Sequence, residues 1–182
     1  MEEKKANQNI PDTASGKIGL LLKNYSSVIC VIIIVLFLFT FVIHVGIIPS
    51  ESMEPTLKKN SLAVCTRVNK KNIKRGNIII FKKSSAGKKA ILIKRVIGIP
   101  GDRIEFKENN LYRNGREITE SYVKKGYKYK DGAYKVPEGK LFVLGDNRNH
   151  SYDSRYWKDG AYLSLKDVRG KLLLPIRTQL PY

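Results

Sequence analysis

From Val28 to Ile48 the chain runs for 21 residues without a formally charged side chain. A helix rises about 1.5 Å per residue, so a run of this length spans a hydrocarbon core of about 30 Å. A buried core helix rarely stays apolar on every face for five turns, which leaves a membrane-crossing segment as the reading. A cleavable secretion signal has an apolar section of about 7–15 residues ending at a small-x-small site. This run is longer and ends in Ile47-Ile48-Pro49, so an uncleaved anchor is expected. The expected organisation is a tail over 1–25, a transmembrane anchor over 26–48 and a folded domain over 49–182.

Orientation follows from the flanks. Lys4, Lys5, Lys17 and Lys23 precede the anchor, and short flanks obey the positive-inside rule whereas long translocated domains largely escape it. The N-terminus is therefore expected in the cytoplasm and the domain after Pro49 outside, on a single-pass cell-membrane protein. The tail, with Asn7, Asn9, Pro11, Thr13, Ser15 and Gly16, reads as mobile. All but one unit of the formal net charge of +18 falls after Pro49. Such a balance suits an anionic surface, and a tethered, exported domain meets anionic lipid rather than nucleic acid. The pairs Lys70-Lys71, Lys82-Lys83, Lys88-Lys89 and Lys124-Lys125 also fit a plainer role as solvated loop charges.

Two cysteines, Cys30 and Cys65, exclude a disulfide framework and a cysteine-rich zinc module. Beyond the anchor, short apolar runs at Leu62–Arg67, Asn77–Phe81, Ala90–Ile99, Lys140–Leu144 and Lys171–Ile176 alternate with turn residues, and no long stretch keeps a 3.6-residue period. Asn114-Gly115 marks a type I′ hairpin. Tyr122 to Lys130 reads as an exposed ribbon and Lys82 to Lys89 as a loop. The expected fold is mainly β, an antiparallel domain preceded by one N-terminal transmembrane helix.

Gly-x-Ser-x-Gly, His-Glu-x-x-His and Cys-x-x-Cys are all missing from the sequence. With His44 in the anchor, His150 is the one imidazole open to the exported domain, so a Ser-His-Asp hydrolase would combine Ser52, His150 and a carboxylate such as Asp146. Ser52 is the first candidate nucleophile, bracketed by Pro49 and Pro55, and a serine hydroxyl needs a base to take its proton. Lys94 offers another base. It follows Ile91-Leu92-Ile93, and burial there would disfavour its ammonium form and bring its pKa toward the working range. Strand alternation equally allows Lys94 to face solvent.

Four segments carry special residues in apolar or turn-rich settings: Pro49-Ser50-Glu51-Ser52-Met53-Glu54-Pro55-Thr56-Leu57, Arg75-Gly76-Asn77-Ile78-Ile79-Ile80-Phe81, Lys94-Arg95-Val96-Ile97-Gly98-Ile99-Pro100-Gly101-Asp102, and Gly145-Asp146-Asn147-Arg148-Asn149-His150-Ser151-Tyr152-Asp153-Ser154-Arg155. In order and composition they resemble the boxes of the bacterial type I signal peptidases, the membrane-bound Ser-Lys leader peptidases, in their compact single-anchor form. That resemblance implies an antiparallel β domain of the signal-peptidase type, without metal or cofactor, whose active-site face meets the bilayer. It implies Ser52 as nucleophile, Lys94 as general base, and the Ser50 hydroxyl with the Ser52 N–H as oxyanion hole. Ser151 would orient the lysine, and Asp153 and Arg155 would form a supporting ion pair.

By the same resemblance Ile48, Pro49, Met53, Leu57 and Ile93 line shallow pockets that admit only small side chains. The implied activity is endoproteolytic removal of signal peptides from exported preproteins after small-x-small sites such as Ala-x-Ala. Ser52 lies only four residues along from Ile48, within about 14 Å of the expected membrane edge. Glu51 stands where the family usually has a small residue, and Asn77 where it often has Asp. The rival from another class is a non-catalytic, membrane-tethered assembly or binding factor on the same fold.

Overall fold

The computed structural model describes residues 14–67, 72–85, 88–123 and 126–179. Residues 1–13 of the expected tail, and Lys70-Lys71 and Lys124-Lys125, lie outside the described residues. The chain divides into two units, Met1–Val42 and Ile43–Tyr182.

In the first unit α1 spans Ala14–Phe37, and a π-helical turn continues it over Leu38–Val42. The stretch Lys23–Val42 contains an 18-residue window of mean hydropathy 2.8 and is exposed nearly throughout. An apolar helix of that length, exposed along its described side chains, fits a single-pass membrane anchor. It begins inside the expected tail and ends six residues short of the expected boundary at 48. Ile43–Ile47 instead form strand β1 of the second unit, where their backbone groups pair with another strand rather than with the preceding helical turn. Ser52 is therefore ten residues along from the end of the apolar helix, not four.

The second unit is mainly antiparallel β, as expected. Its strands after β1 are β2 Ser61–Thr66, β3 Ile78–Ser85, β4 Lys88–Gly98, β5 Arg103–Lys107, β6 Asn110–Arg113, β7 Arg116–Glu117, β8 Gly132–Lys135, β9 Lys140–Leu144, β10 Leu163–Ser164 and β11 Val168–Gln179. One sheet has the order β1-β2-β11-β3-β4-β9-β10, the other β7-β6-β5-β8. All five apolar runs read from the sequence are strands. Asn114 and Gly115 both have positive φ, at 53° and 78°, as a type I′ turn between β6 and β7 demands.

Two readings change. Lys82 to Lys89 is a hairpin, with Lys82↔Ile91 and Ser85↔Lys88 in register and only Ala86 and Gly87 outside the described residues. Tyr122 to Lys130 forms no strand among its described residues; the strand lies just beyond, at β8. Alternating Tyr and Lys met the period of a strand, but Tyr122, Tyr127 and Tyr129 lie on Arg95, Arg155 and Arg148 instead.

The site draws on an apolar cluster of Ile48, Met53, Leu57, Ala63, Cys65, Ile78 and Ile93. A second cluster around Phe81, Val96, Val143 and Trp157 packs elsewhere in the unit. Side chains from both clusters flank β4, so Ile93, Lys94 and Val96 are all buried. This double cover removes the solvent-facing option for Lys94.

Candidate active site

Ser52 occupies a single 3₁₀ turn, Glu51–Met53. The turn is held from both ends: Ile48 N–H donates to Ser61 O at 2.9 Å, Asn60 N–H to Ile48 O at 2.8 Å, and Leu57 N–H to Met53 O at 2.9 Å. Met53 and Leu57, fully buried, root it in the apolar cluster. From the opposite side Asn147 N–H donates to Ser52 O at 3.1 Å and Asn147 Nδ2 to Glu51 O at 3.1 Å. Gly145 is a steric requirement here, since a Cβ on it would overlap Ser151 Oγ and the Ser52 carbonyl oxygen.

Lys94 reaches Ser52 from β4. Its Nζ donates to Ser52 Oγ at 2.6 Å, and the lysine is only 2% exposed. Burial pulls its pKa from 10.5 down to about 8; Asp153 opposes that fall, Arg155 adds to it, and Asp146 opposes it. Neither carboxylate is free to serve the lysine alone. Asp146 is held by Arg95 Nε and Nη2 at 2.9 and 2.6 Å and by Thr56 Oγ1 at 2.5 Å. Asp153 is held by Arg155 Nε and Nη2, both at 2.8 Å, and by Gly145 N–H at 3.0 Å. The amine is thus dry, weakly compensated and aimed at a hydroxyl, which is how a lysine becomes a base near neutral pH.

Ser50 Oγ lies 3.2 Å from Ser52 Oγ, close enough to face an oxyanion formed there. Ser151 is buried against Gly145, and its Oγ makes no hydrogen bond to Lys94 or to any other described residue. Glu51 turns away from the site, pairing with Lys59 at 3.3 Å on the surface. Asn77 closes a turn by accepting from Lys74 N–H at 3.0 Å. His150 is exposed, and the group bonded to Ser52 Oγ is the Lys94 amine; Asp146 accepts from Arg95 and Thr56. His44 lies on β1, its Nε2 accepting from Arg67 Nε at 3.1 Å.

A cavity of about 320 Å³ is lined by Gly46, Ile47, Ile48, Pro49, Ala63, Ile80, Ile91, Leu92 and Ile93. Three expected pocket residues, Ile48, Pro49 and Ile93, line it. Met53 and Leu57 do not; they pack beneath it as core. Sequence reasoning assigned no part to Gly145, Asn147 or Thr56, although all three sit in the segments it marked.

A family model described as signal peptidase, peptidase S26, matches residues 21–176. The chain belongs to that family. Among its relatives are a probable signal peptidase I-2 of Synechocystis sp., 38% identical over 72% of this chain and 63% of its own length. A signal peptidase IB of Staphylococcus aureus is 36% identical over 70% of this chain and 76% of its own length. A crystal structure of a signal peptidase I from Enterococcus faecalis V583 is 34% identical and covers 56% of this chain and 97% of its own, with a TM-score of 0.48. Signal-peptide removal by a serine endopeptidase is the activity that this membership gives the site to explain.

Proposed function

We propose that the chain cuts signal peptides from exported preproteins with a Ser52–Lys94 dyad, after small-x-small sites, from a single-pass anchor with its N-terminus in the cytoplasm. The observation that carries the dyad is the 2.6 Å contact between Ser52 Oγ and a buried Lys94 whose pKa is pulled down to about 8.

In the neutral form Lys94 Nζ takes the Ser52 proton as Oγ attacks the scissile carbonyl. The developing oxyanion is met by the Ser52 N–H and the Ser50 hydroxyl, and one such donor is worth about 3 kcal/mol. The Lys94 ammonium then protonates the departing amine as the C–N bond breaks. Water, deprotonated by Lys94 in turn, hydrolyses the acyl-enzyme. The Asp153–Arg155 pair would hold the loop that carries Gly145, while Ser151, whose Oγ makes no hydrogen bond to Lys94, packs against Gly145. No step calls for a metal or cofactor.

The cavity beside Pro49 and Ile93 supports apolar side chains on the acyl side of the cut, because its wall is mostly branched aliphatic groups. The restriction to small ones rests on the family membership. Lysines ahead of the anchor support the orientation. The basic exported unit would lie against anionic lipid rather than nucleic acid.

The test is cleavage, in detergent, of a preprotein bearing an Ala-x-Ala site, with the cut mapped by mass. One cut after the final Ala is expected, lost in Ser52→Ala and Lys94→Ala and retained in His150→Ala, with activity rising through about pH 8. Retention in Lys94→Ala with loss in His150→Ala sinks the dyad. An intact, folded protein that leaves the substrate whole brings the non-catalytic assembly factor forward.

A further inference from the structure

Residues Glu120 to Tyr129 lie between β7 and β8 and supply nothing to the proposed chemistry. Tyr122, Tyr127 and Tyr129 among them are nevertheless built against three arginines, Arg95, Arg155 and Arg148. The Tyr122 ring centre lies 3.9 Å from the Arg95 guanidinium carbon, that of Tyr127 4.8 Å from Arg155, and that of Tyr129 5.5 Å from Arg148. Glu120 Oε2 pairs with Arg148 Nη2 at 2.6 Å, with both side chains almost wholly buried. The Tyr122 hydroxyl donates to Glu120 Oε1 at 2.6 Å and the Tyr129 hydroxyl to Oε2 at 3.3 Å. Burial and then the Glu120 charge push the Tyr122 phenol well above its ordinary range, so it remains a donor.

Each arginine is tied by its hydrogen-bond partners to the Ser52 segment or to the Gly145 turn. Arg95 holds Asp146, which accepts from Thr56, four residues past the nucleophile. Arg148 Nε donates to Gly145 O at 3.0 Å and so shapes the turn whose Asn147 clasps Ser52 O and Glu51 O. Arg155 holds Asp153, which receives Gly145 N–H.

We propose that Glu120 and Tyr122 are positioning residues for the dyad: through Arg148 and Arg95 they hold the Gly145–Arg148 turn and the Ser52 turn in register with Lys94. The inference rests on the Ser52–Lys94 reading. Without Glu120, Arg148 is a buried cation with no carboxylate, and its escape toward water pulls on Gly145. A shift of about 1 Å in a reacting group costs as much as ~100-fold in rate. Without the Tyr122 ring, Arg95 loses the face that fixes its plane, while its bonds to Asp146 remain.

The experiment measures kcat and KM of the full chain in detergent, on the Ala-x-Ala preprotein, for Glu120→Gln, Tyr122→Leu and Tyr122→Phe, alongside a thermal melt of each. Glu120→Gln and Tyr122→Leu are expected to lower kcat about ten- to a hundredfold with KM within about twofold. Tyr122→Phe, which keeps the ring and gives up the hydroxyl, recovers most of what Tyr122→Leu loses. The proposal is overturned by folded Glu120→Gln and Tyr122→Leu proteins with kcat within about twofold of the parent, or by losses that match the fraction unfolded. Where Glu120→Gln does not fold, Tyr122→Leu decides, because it leaves the Glu120–Arg148 ion pair in place. A parent protein that leaves the substrate whole removes the Ser52–Lys94 reading and this inference together, an outcome distinct from active parent and unaffected variants.

Discussion

Lys94 and Asp102 are eight residues apart, and each is only 2% exposed, yet their surroundings treat the two charges in opposite ways. Asp102 accepts from Arg75 Nε and Nη2 at 2.8 and 2.6 Å, from Ile99 N–H at 3.0 Å and from Asn114 Nδ2 at 2.9 Å. Burial raises its pKa, but these donors outweigh burial and hold it at about 2. Among the described residues Lys94 has a serine hydroxyl as its one hydrogen-bond partner, and burial outweighs the more distant Asp153 and Asp146 charges. At one corner the fold compensates a buried charge to tie β5 and the Asn114 turn together. At the other it withholds compensation, which is destabilising and is what the base proposed for Ser52 requires.

The largest expected effect separates charge from basicity at Lys94. Lys94→Arg keeps a cation that never gives up its proton, and Lys94→Met keeps neither charge nor base. Both are expected to lower kcat/KM by about a thousandfold or more. Their stabilities should diverge. The folded pKa of Lys94 lies below its unfolded value, so the native state holds this proton less tightly, and the stability contribution rises as pH climbs from about 8 to about 10.5. At neutral pH the lysine is therefore a cost, and Lys94→Met is expected to raise stability by about 1–3 kcal/mol, read as a higher melting midpoint. A Met variant that melts lower would mean that the withheld compensation is no real burden.

Next in size is Gly145→Ala. No positive φ is involved; the conflict is with Ser151 Oγ and the Ser52 carbonyl oxygen, neither at the free end of a long chain. The turn must retreat, and kcat is expected to fall about a hundredfold. Normal turnover in that variant would show that the Gly145 turn does not set the position of Ser52.

Much of this was readable in advance, for local reasons. Continuous apolar runs announced β2, β3, β4, β9 and β11, and Asn114-Gly115 announced its turn. The motif segments marked Ser52 and Lys94, which the fold brings within hydrogen-bonding distance. Other features have no local signature. Ile43–Ile47 continues the uncharged run with only His44 and Gly46 to interrupt it, and composition alone does not separate the last turns of an anchor from a strand. Met53 and Leu57 were apolar neighbours of the nucleophile, but whether such residues line a pocket or lie beneath it depends on strands far along the chain. Glu120 meets Arg148 across 28 residues of sequence, and nothing near Glu120 in the chain signals that partner.

The smallest expected effect belongs to the compensated corner and tests whether its charge is separable from the chemistry. Asp102→Asn keeps an acceptor for Ile99 N–H but gives up the charge facing Arg75. The Arg75 side chain is 42% exposed, so the guanidinium returns to water at little cost, and the loss is expected to be about 1–2 kcal/mol with kcat unchanged. Because the folded pKa of Asp102 is depressed, its contribution is fully present above about pH 4 and is lost as pH falls toward about 2. Parent and Asp102→Asn melting midpoints should therefore differ at neutral pH and converge in acid. Convergence without any change in turnover at pH 8 would keep the two buried charges independent. A drop in kcat for Asp102→Asn would instead join them through the end of β4 and the turn that follows it.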